Sequence, residues 1–227
     1  HALERVTGGV KNLYGCISGL HKAKGHTKYT NADIFARQLI DLNQLIKPRF
    51  CVMDGIVAMD GNGPTSGDPV KMKVLLLGND PVAIDSVYCH LVHLDPQMVP
   101  TNVHGETMGL GTWREENIRL LTDGGEITMQ EAVERFGNPD FNVDRKKQRG
   151  NLWNRFNNGF LRYFQKKPYI EADKCKKCGV CVEACPVEGK ALQFKNGRRK
   201  PPVYNYHKCI RCFCCQEMCP HKAIQVK

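Results

Sequence analysis

Nine of the 12 cysteines in this chain fall between Cys175 and Cys219, and they fall in a repeated order. Cys175, Cys178, Cys181 and Cys185 follow the spacing C-x2-C-x2-C-x3-C, with Pro186 next. Cys209, Cys212, Cys215 and Cys219 repeat it, with Pro220 next. Three thiolates at steps of three residues wrap one cube of four irons and four sulfides from a tight loop. The fourth, ahead of its proline, heads a helix that leads away, and so ligates the other cube. The spacing therefore predicts two 4Fe-4S clusters with crossed ligation. Cys175, Cys178, Cys181 and Cys219 hold the first, and Cys209, Cys212, Cys215 and Cys185 the second. Zinc is the competing reading, but its sites favour two separated C-x2-C pairs. Clusters with a purely architectural role are a further alternative, although a linked pair makes an electron relay that architecture does not need. Cys214 is expected to be a packed thiol beside a ligand. Cys16, Cys51 and Cys89 read as buried small hydrophobes.

The rest of the 227 residues is divided by charge at nearly the same place. Residues 1–143 carry 13 Lys and Arg against 17 Asp and Glu, whereas residues 144–227 carry 20 against 6. With 41% hydrophobic and 25% charged residues, the chain has the composition of a folded protein, not a disordered one. A disulfide scaffold needs an exported chain. The opening His1–Gly9 does not read as a signal peptide, and no apolar run approaches the roughly 18–20 residues of a membrane span. A cytoplasmic location follows as the expectation.

Residues 1–143 read as an α/β domain with a mainly parallel sheet. Asn31 caps a helix to about Ile46, with Ile34, Leu39, Leu42 and Ile46 near one face and Pro48 as its stop. Short apolar runs at Phe50–Met53 and Val74–Leu77 suit strands covered on both faces. Asp80-Pro81 opens a helix carrying Val82, Ile84, Val87 and Leu91. Asn117–Leu121 reads as a strand and Met129–Phe136 as a last helix. Residues 144–168 form a basic linker helix, its stripe made by Trp153, Phe156, Phe160 and Phe164. That stripe either packs on a neighbouring domain or docks to a membrane surface or an acidic partner. Residues 169–227 form the cluster domain.

A possible anion site lies in the first domain. Gly61, Asn62, Gly63 and Gly67 punctuate a turning loop whose backbone N–H groups could approach a phosphate or carboxylate. It is neither a P-loop nor a dinucleotide fingerprint, and a tight connection without ligand is the plainer reading. Lys11, Asn12, Asp54, Asn62 and Asp85 sit at the ends of expected elements, where open α/β sheets collect function. In such a pocket Lys11 would bind an anionic group, and Asp54 or Asp85 would move protons. Asp80 reads as a cap. His21 with His26, and His90 with His93, read as surface histidines.

Several stretches carry a resemblance. Val6–Cys16 resembles a central motif of the domain of unknown function numbered 362. So do Asp54–Met59, Gly61–Pro69 and Asn79–Asp85. The second cysteine run, with Cys214-Cys215 and Gln216–Met218, is similar to the bacterial-type ferredoxin tail carried by many members. The resemblance implies an α/β domain joined to a small two-cluster ferredoxin-like domain, in an anaerobe-type cytoplasm. It supplies no reaction. In such proteins the Lys11-Asn12 motif follows an N-terminal α/β portion, so part of the domain is expected to be missing here or supplied by a partner chain.

Three functions follow as expectations. The first is an electron-transfer protein relaying single electrons to or from a redox protein partner. The second is a ferredoxin-fused reductase, an oxidoreductase acting on a small anionic substrate in the α/β domain. The third, a nucleic-acid binder, ranks last because the aromatics form one helical stripe instead of a stacking platform. The sequence carries no flavin signature.

Overall fold

A computed structural model describes residues 4–17, 31–61, 63, 67–146, 167–195 and 197–226. Asn62, His21, His26 and the aromatic stripe of the linker lie outside them. The chain divides into two compact units, His1–Asp144 and Arg145–Lys227.

In the first unit, α1 (Gly9–Asn12) is short, and α2 (Ala32–Ile46) is the long helix started by Asn31. The Asn31 side chain accepts from the Asp33 N–H at 2.7 Å, which satisfies one of the N–H groups a helix start leaves unpaired. The buried face is Phe35, Ala36, Leu39, Ile40 and Asn43. Ile34 and Ile46 instead face solvent. Positions 35, 39 and 43 with 36 and 40 align at helical spacing, whereas 34 falls outside that stripe. Lys47 ends α2 in the left-handed region at φ 52°, ahead of Pro48, which disfavours helix at the residue before it.

β1 (Cys51–Gly55) and β4 (Val74–Gly78) pair antiparallel, Cys51 opposite Gly78 and Gly55 opposite Val74. Between them β2 (Ala58–Asp60) and β3 (Asp68–Val70) also pair antiparallel. The four strands thus nest as one long hairpin, and the glycine-rich loop is its tip. The expected parallel sheet is absent: every described strand pair is antiparallel. A parallel pair needs a crossover, usually helical, and the segment between β1 and β4 forms an inner hairpin instead. Nor is the sheet covered on both faces. Burial alternates along β4, and Val52, Leu75 and Leu77 on the outer face are 58%, 49% and 56% exposed.

α3 (Pro81–Leu91) packs against the inner face. Asp80 caps it, accepting from Val82 and Ala83 N–H at 2.8 and 2.9 Å, with Pro81 in the first position where its missing N–H costs nothing. Val82 joins Val10, Tyr14, Phe35, Leu39 and Ile40 in one apolar cluster. Tyr88, Cys89 and Leu91 join Val6, Val74 and Phe141 in another. Burying side chains of this size stabilises by about 1.5–3 kcal/mol each, so α3 ties the two clusters together. α4 (Pro100–Thr107) packs on α2 and α3. β5 (Leu120–Thr122) and β6 (Gly125–Ile127) make a small hairpin, with the strand starting later than Asn117, which lies in a 3-10 turn. α5 (Met129–Phe136) opens on a capping box between Thr128 and Glu131.

The second unit is built from two similar halves 34 residues apart, the offset from Cys175 to Cys209. β7 (Pro168–Ile170), before the first cysteine run, pairs with β10 (Ile224–Val226), after the second. β8 (Leu192–Gln193), after the first run, pairs with β9 (Val203–Tyr204), before the second. Single-turn helices α6 (Val180–Glu183) and α7 (Cys214–Glu217) occupy matching places. Gly179 and Phe213 precede them at φ 91° and 60°. Lys177 and Arg211 match as well, at φ 57° and 59°.

Candidate metal centre

The crossed strand pairing brings the tail of each cysteine run beside the body of the other. One cavity is lined by Cys175, Cys178, Cys181 and Cys219, with Ile170 and Ala223 among its apolar walls. A second is lined by Cys209, Cys212, Cys215 and Cys185, with Ala191, Leu192 and Tyr204. Cys214 is buried in α7 and is absent from that lining. Its thiol and that of Cys212 interact, which pushes the first up and the second down.

The residues present fit 4Fe-4S clusters. Each cavity offers four thiol donors in an apolar setting, the donor set such clusters take. Among the described residues no three His, Cys, Asp or Glu side chains converge on one metal-ion position; the two sets of cysteines line the walls of the two cavities. Two backbone donors repeat between the halves. Ala191 N–H donates to the Cys185 sulfur and Ala223 N–H to the Cys219 sulfur, both at 3.4 Å. One donor does not repeat: the Tyr204 hydroxyl lies 3.2 Å from the Cys215 sulfur. Tyr204 is itself stacked on Tyr206 at 5.4 Å between ring centroids, and Tyr206 donates to the Pro168 carbonyl at 2.9 Å.

Burial and neighbouring cysteines push the Cys181 thiol up to about 11 and the Cys215 thiol to about 12. Without iron these groups hold their protons at neutral pH, and cluster assembly must displace them. Positive charge stands nearby. Lys190 binds the Glu183 and Cys185 carbonyls at 3.0 and 2.7 Å, at the C-terminal end of α6, and Lys176 and Lys177 line the first cavity. Such charge offsets the negative charge of a thiolate-bound cube.

In the first unit the sequence-derived residues have separate surroundings. Asp54 is exposed and accepts from the Ile56 N–H at 2.9 Å, a turn bond. Asn12 is exposed and Lys11 half-buried, its ammonium 6.0 Å from the Tyr14 ring centroid. Gly61, at φ 70°, donates its N–H to the Asn142 carbonyl at 2.8 Å, and Asn142 N–H returns to Asp60 at 2.9 Å. A Cβ at Gly67 would overlap the Asp60 carbonyl oxygen. These two glycines thus serve a pinned hairpin tip, and Gly63 lies between them, half-buried. Asp85 is buried under α1, accepting from Gly9 and Val10 N–H at 2.6 and 3.1 Å. Burial pushes its carboxyl up to about 7, against the pull of those two N–H groups. A Cβ on Gly8 would overlap Asp85, and one on Gly9 would crowd the Pro81 carbonyl, which explains the Gly8-Gly9 pair.

Glu4 escaped the sequence reading. It is fully buried, and burial pushes its carboxyl up to about 8, opposed by the nearby Lys11 ammonium. Nothing in Leu3-Glu4-Arg5 distinguishes it from a solvated charge. Of the lone cysteines only Cys89 is fully buried; Cys16 is exposed and Cys51 half-buried. Their burial depends on packing distant in sequence.

Four cysteines around each of two cavities, in a twofold-repeated frame, define the class: a ferredoxin-type iron–sulfur domain attached to a second unit. Comparison with known proteins agrees. Residues 1–90 match the domain of unknown function DUF362, and residues 167–220 match the 4Fe-4S dicluster domain. The chain thus carries a DUF362-like region at residues 1–90 and a 4Fe-4S dicluster ferredoxin region at residues 167–220. It is 39% identical over 130 residues to Thylakoid-associated protein sll1697 of Synechocystis sp.. That stretch is 57% of this chain and 40% of the relative, so the match spans less than half of the relative's length. No solved structure matches the chain. Among the described residues no helix is long and apolar enough to cross a membrane.

Proposed function

We propose that this chain relays single electrons between redox proteins through two 4Fe-4S clusters. Cys175, Cys178, Cys181 and Cys219 hold the first cluster; Cys209, Cys212, Cys215 and Cys185 hold the second. One observation carries the reading: each four-cysteine set lines its own cavity, three members from one run and one from the other. When bound, the clusters supply one-electron storage and transfer. The protein's part is to hold them in an apolar setting, to donate hydrogen bonds to their sulfur ligands, and to present basic residues to an acidic partner. Iron and sulfide analysis of anaerobically purified protein tests this, with redox titration of its visible absorbance. About eight irons and a reversible one-electron bleach support the relay; zinc, or iron that dithionite cannot reduce, contradicts it.

A ferredoxin-fused oxidoreductase is the second reading, with a small anionic substrate in the first unit. Two buried acids whose pKa values lie near neutrality, Glu4 and Asp85, favour it, since such groups gather at functional sites. The engagement of Asp85 with Gly9 and Val10 speaks for a structural duty instead. Lys11, Asn12, Asp54 and the glycines of the hairpin tip stand as its proposed substrate contacts. We place the protein in the cytoplasm; attachment to a membrane surface, as the name of the Synechocystis relative describes for that protein, is the alternative. Fractionation of extracts at low and high salt separates the two.

A further inference from the structure

The two halves of the second unit are alike in backbone but unlike in one kind of side chain. At the 34-residue offset, Tyr204 corresponds to Ile170, and both line a cluster cavity. The Tyr204 hydroxyl sits 3.2 Å from the Cys215 sulfur, whereas Ile170, beside Cys181, has no proton to offer. The same offset sets Cys214 against Val180. The Cys214 and Cys212 thiols interact, and the valine again has nothing to donate. The backbone donors to the sulfurs of Cys185 and Cys219 are equal at 3.4 Å in the two halves. These two pairs of side chains therefore set the halves apart in protic contacts to sulfur.

We infer that Tyr204 tunes the second cluster site, making it the resting place of the electron in the singly reduced protein. The inference rests on the two-cluster reading above. With Cys215 bound to iron as a thiolate, the contact can only run from the phenol O–H to sulfur. A hydrogen bond to sulfur stabilises the more negative, reduced level and so raises the reduction potential. One electron leaves the site of Cys175, Cys178, Cys181 and Cys219, which is oxidised, and enters the site of Cys209, Cys212, Cys215 and Cys185, which is reduced. No bond breaks and no proton moves. Tyr204 acts through Cys215 and is a positioning residue. Its own placement is fixed by stacking on Tyr206, which is anchored to the Pro168 carbonyl.

The test is an EPR-monitored redox titration of the full chain, purified without oxygen, beside Tyr204→Phe. Phenylalanine keeps the ring and its stacking and removes only the hydroxyl. The expected result is two midpoints in the parent and unchanged iron in the variant. The higher midpoint should fall by about tenfold in equilibrium constant, about 59 mV for one electron, while the lower stays in place. Unmoved midpoints with full iron, or an equal fall of both, overturn the inference and leave the relay standing. Absence of any dithionite-reducible cluster in the parent overturns the relay itself, and the inference with it. Should the variant lose iron, proton ENDOR of the singly reduced parent decides. A strongly coupled proton that exchanges in D2O and is assigned to the Tyr204 hydroxyl supports the inference, and its absence overturns it.

Discussion

Asp85 shows how one buried carboxyl fixes a local structure. It receives the Gly9 and Val10 N–H groups across some 75 residues of sequence, and α1 has no other side-chain cap. Asp85→Ala leaves one buried and one partly buried N–H group without partners and should cost about 1–3 kcal/mol for the buried one and less for the other, read as a lower midpoint in urea. The pH dependence has a definite sign. Burial raises the carboxyl from 3.8 to about 7, so between those values the native state holds a proton that the unfolded state has released. Stability therefore falls as pH rises from about 4 to about 7. Glu4, raised from 4.5 to about 8, acts in the same direction. Asp85→Asn imitates the protonated form and should flatten its share of that slope. A slope unchanged in the asparagine variant would contradict the assignment. Among the cysteines, Cys219→Ser should disturb the first cluster more than the second, read by EPR of the two sites in folded protein. Equal loss would speak against crossed ligation.

At the scale of elements, helix starts were legible because their determinants are local. Asn31, Asp80 and Thr128 each cap within three residues of themselves. Strand direction was not legible, because pairing is decided by residues far apart. Val74–Leu77 reads alike in a parallel sheet buried on both faces and in a hairpin with one bare face. The glycine-rich segment was visibly a turn, but whether its N–H groups meet an anion or Asn142 depends on a segment some 80 residues away. Gly67→Ala tests the hairpin-tip assignment. The added Cβ meets the Asp60 backbone first and the Met59 side chain beside it, and the variant should lose about 1–3 kcal/mol, the usual cost of overpacking. No loss would mean that β2 and β3 do not approach as closely as the structure has them.

At the scale of the molecule, the clusters and the fold of the second unit are one problem. Cys181, Cys215 and Cys219 belong to one apolar cluster with Leu192 and Ile224, and Cys185 and Cys209 to another with Ala191. For so small a unit, metal-binding free energy is folding free energy. Chelating the iron from the whole chain should abolish the cooperative melting of the second unit and leave that of the first, followed by circular dichroism. Retention of both transitions would show a core that stands without metal. The cysteine spacing made the 4Fe-4S domain readable from sequence, since the three loop cysteines of each proposed site are local and the fourth follows from the repeat. The first unit offered no comparable signal; Glu4 and the duty of Asp85 emerge only from packing. The central claim is that eight sulfurs grip two cubes near enough to share an electron. Anaerobic iron and sulfide analysis, joined to EPR of the dithionite-reduced chain, tests it most directly. The account predicts about eight irons per chain, with signals broadened by magnetic coupling between two reduced clusters. About four irons with one uncoupled signal, or zinc in place of iron, would contradict it.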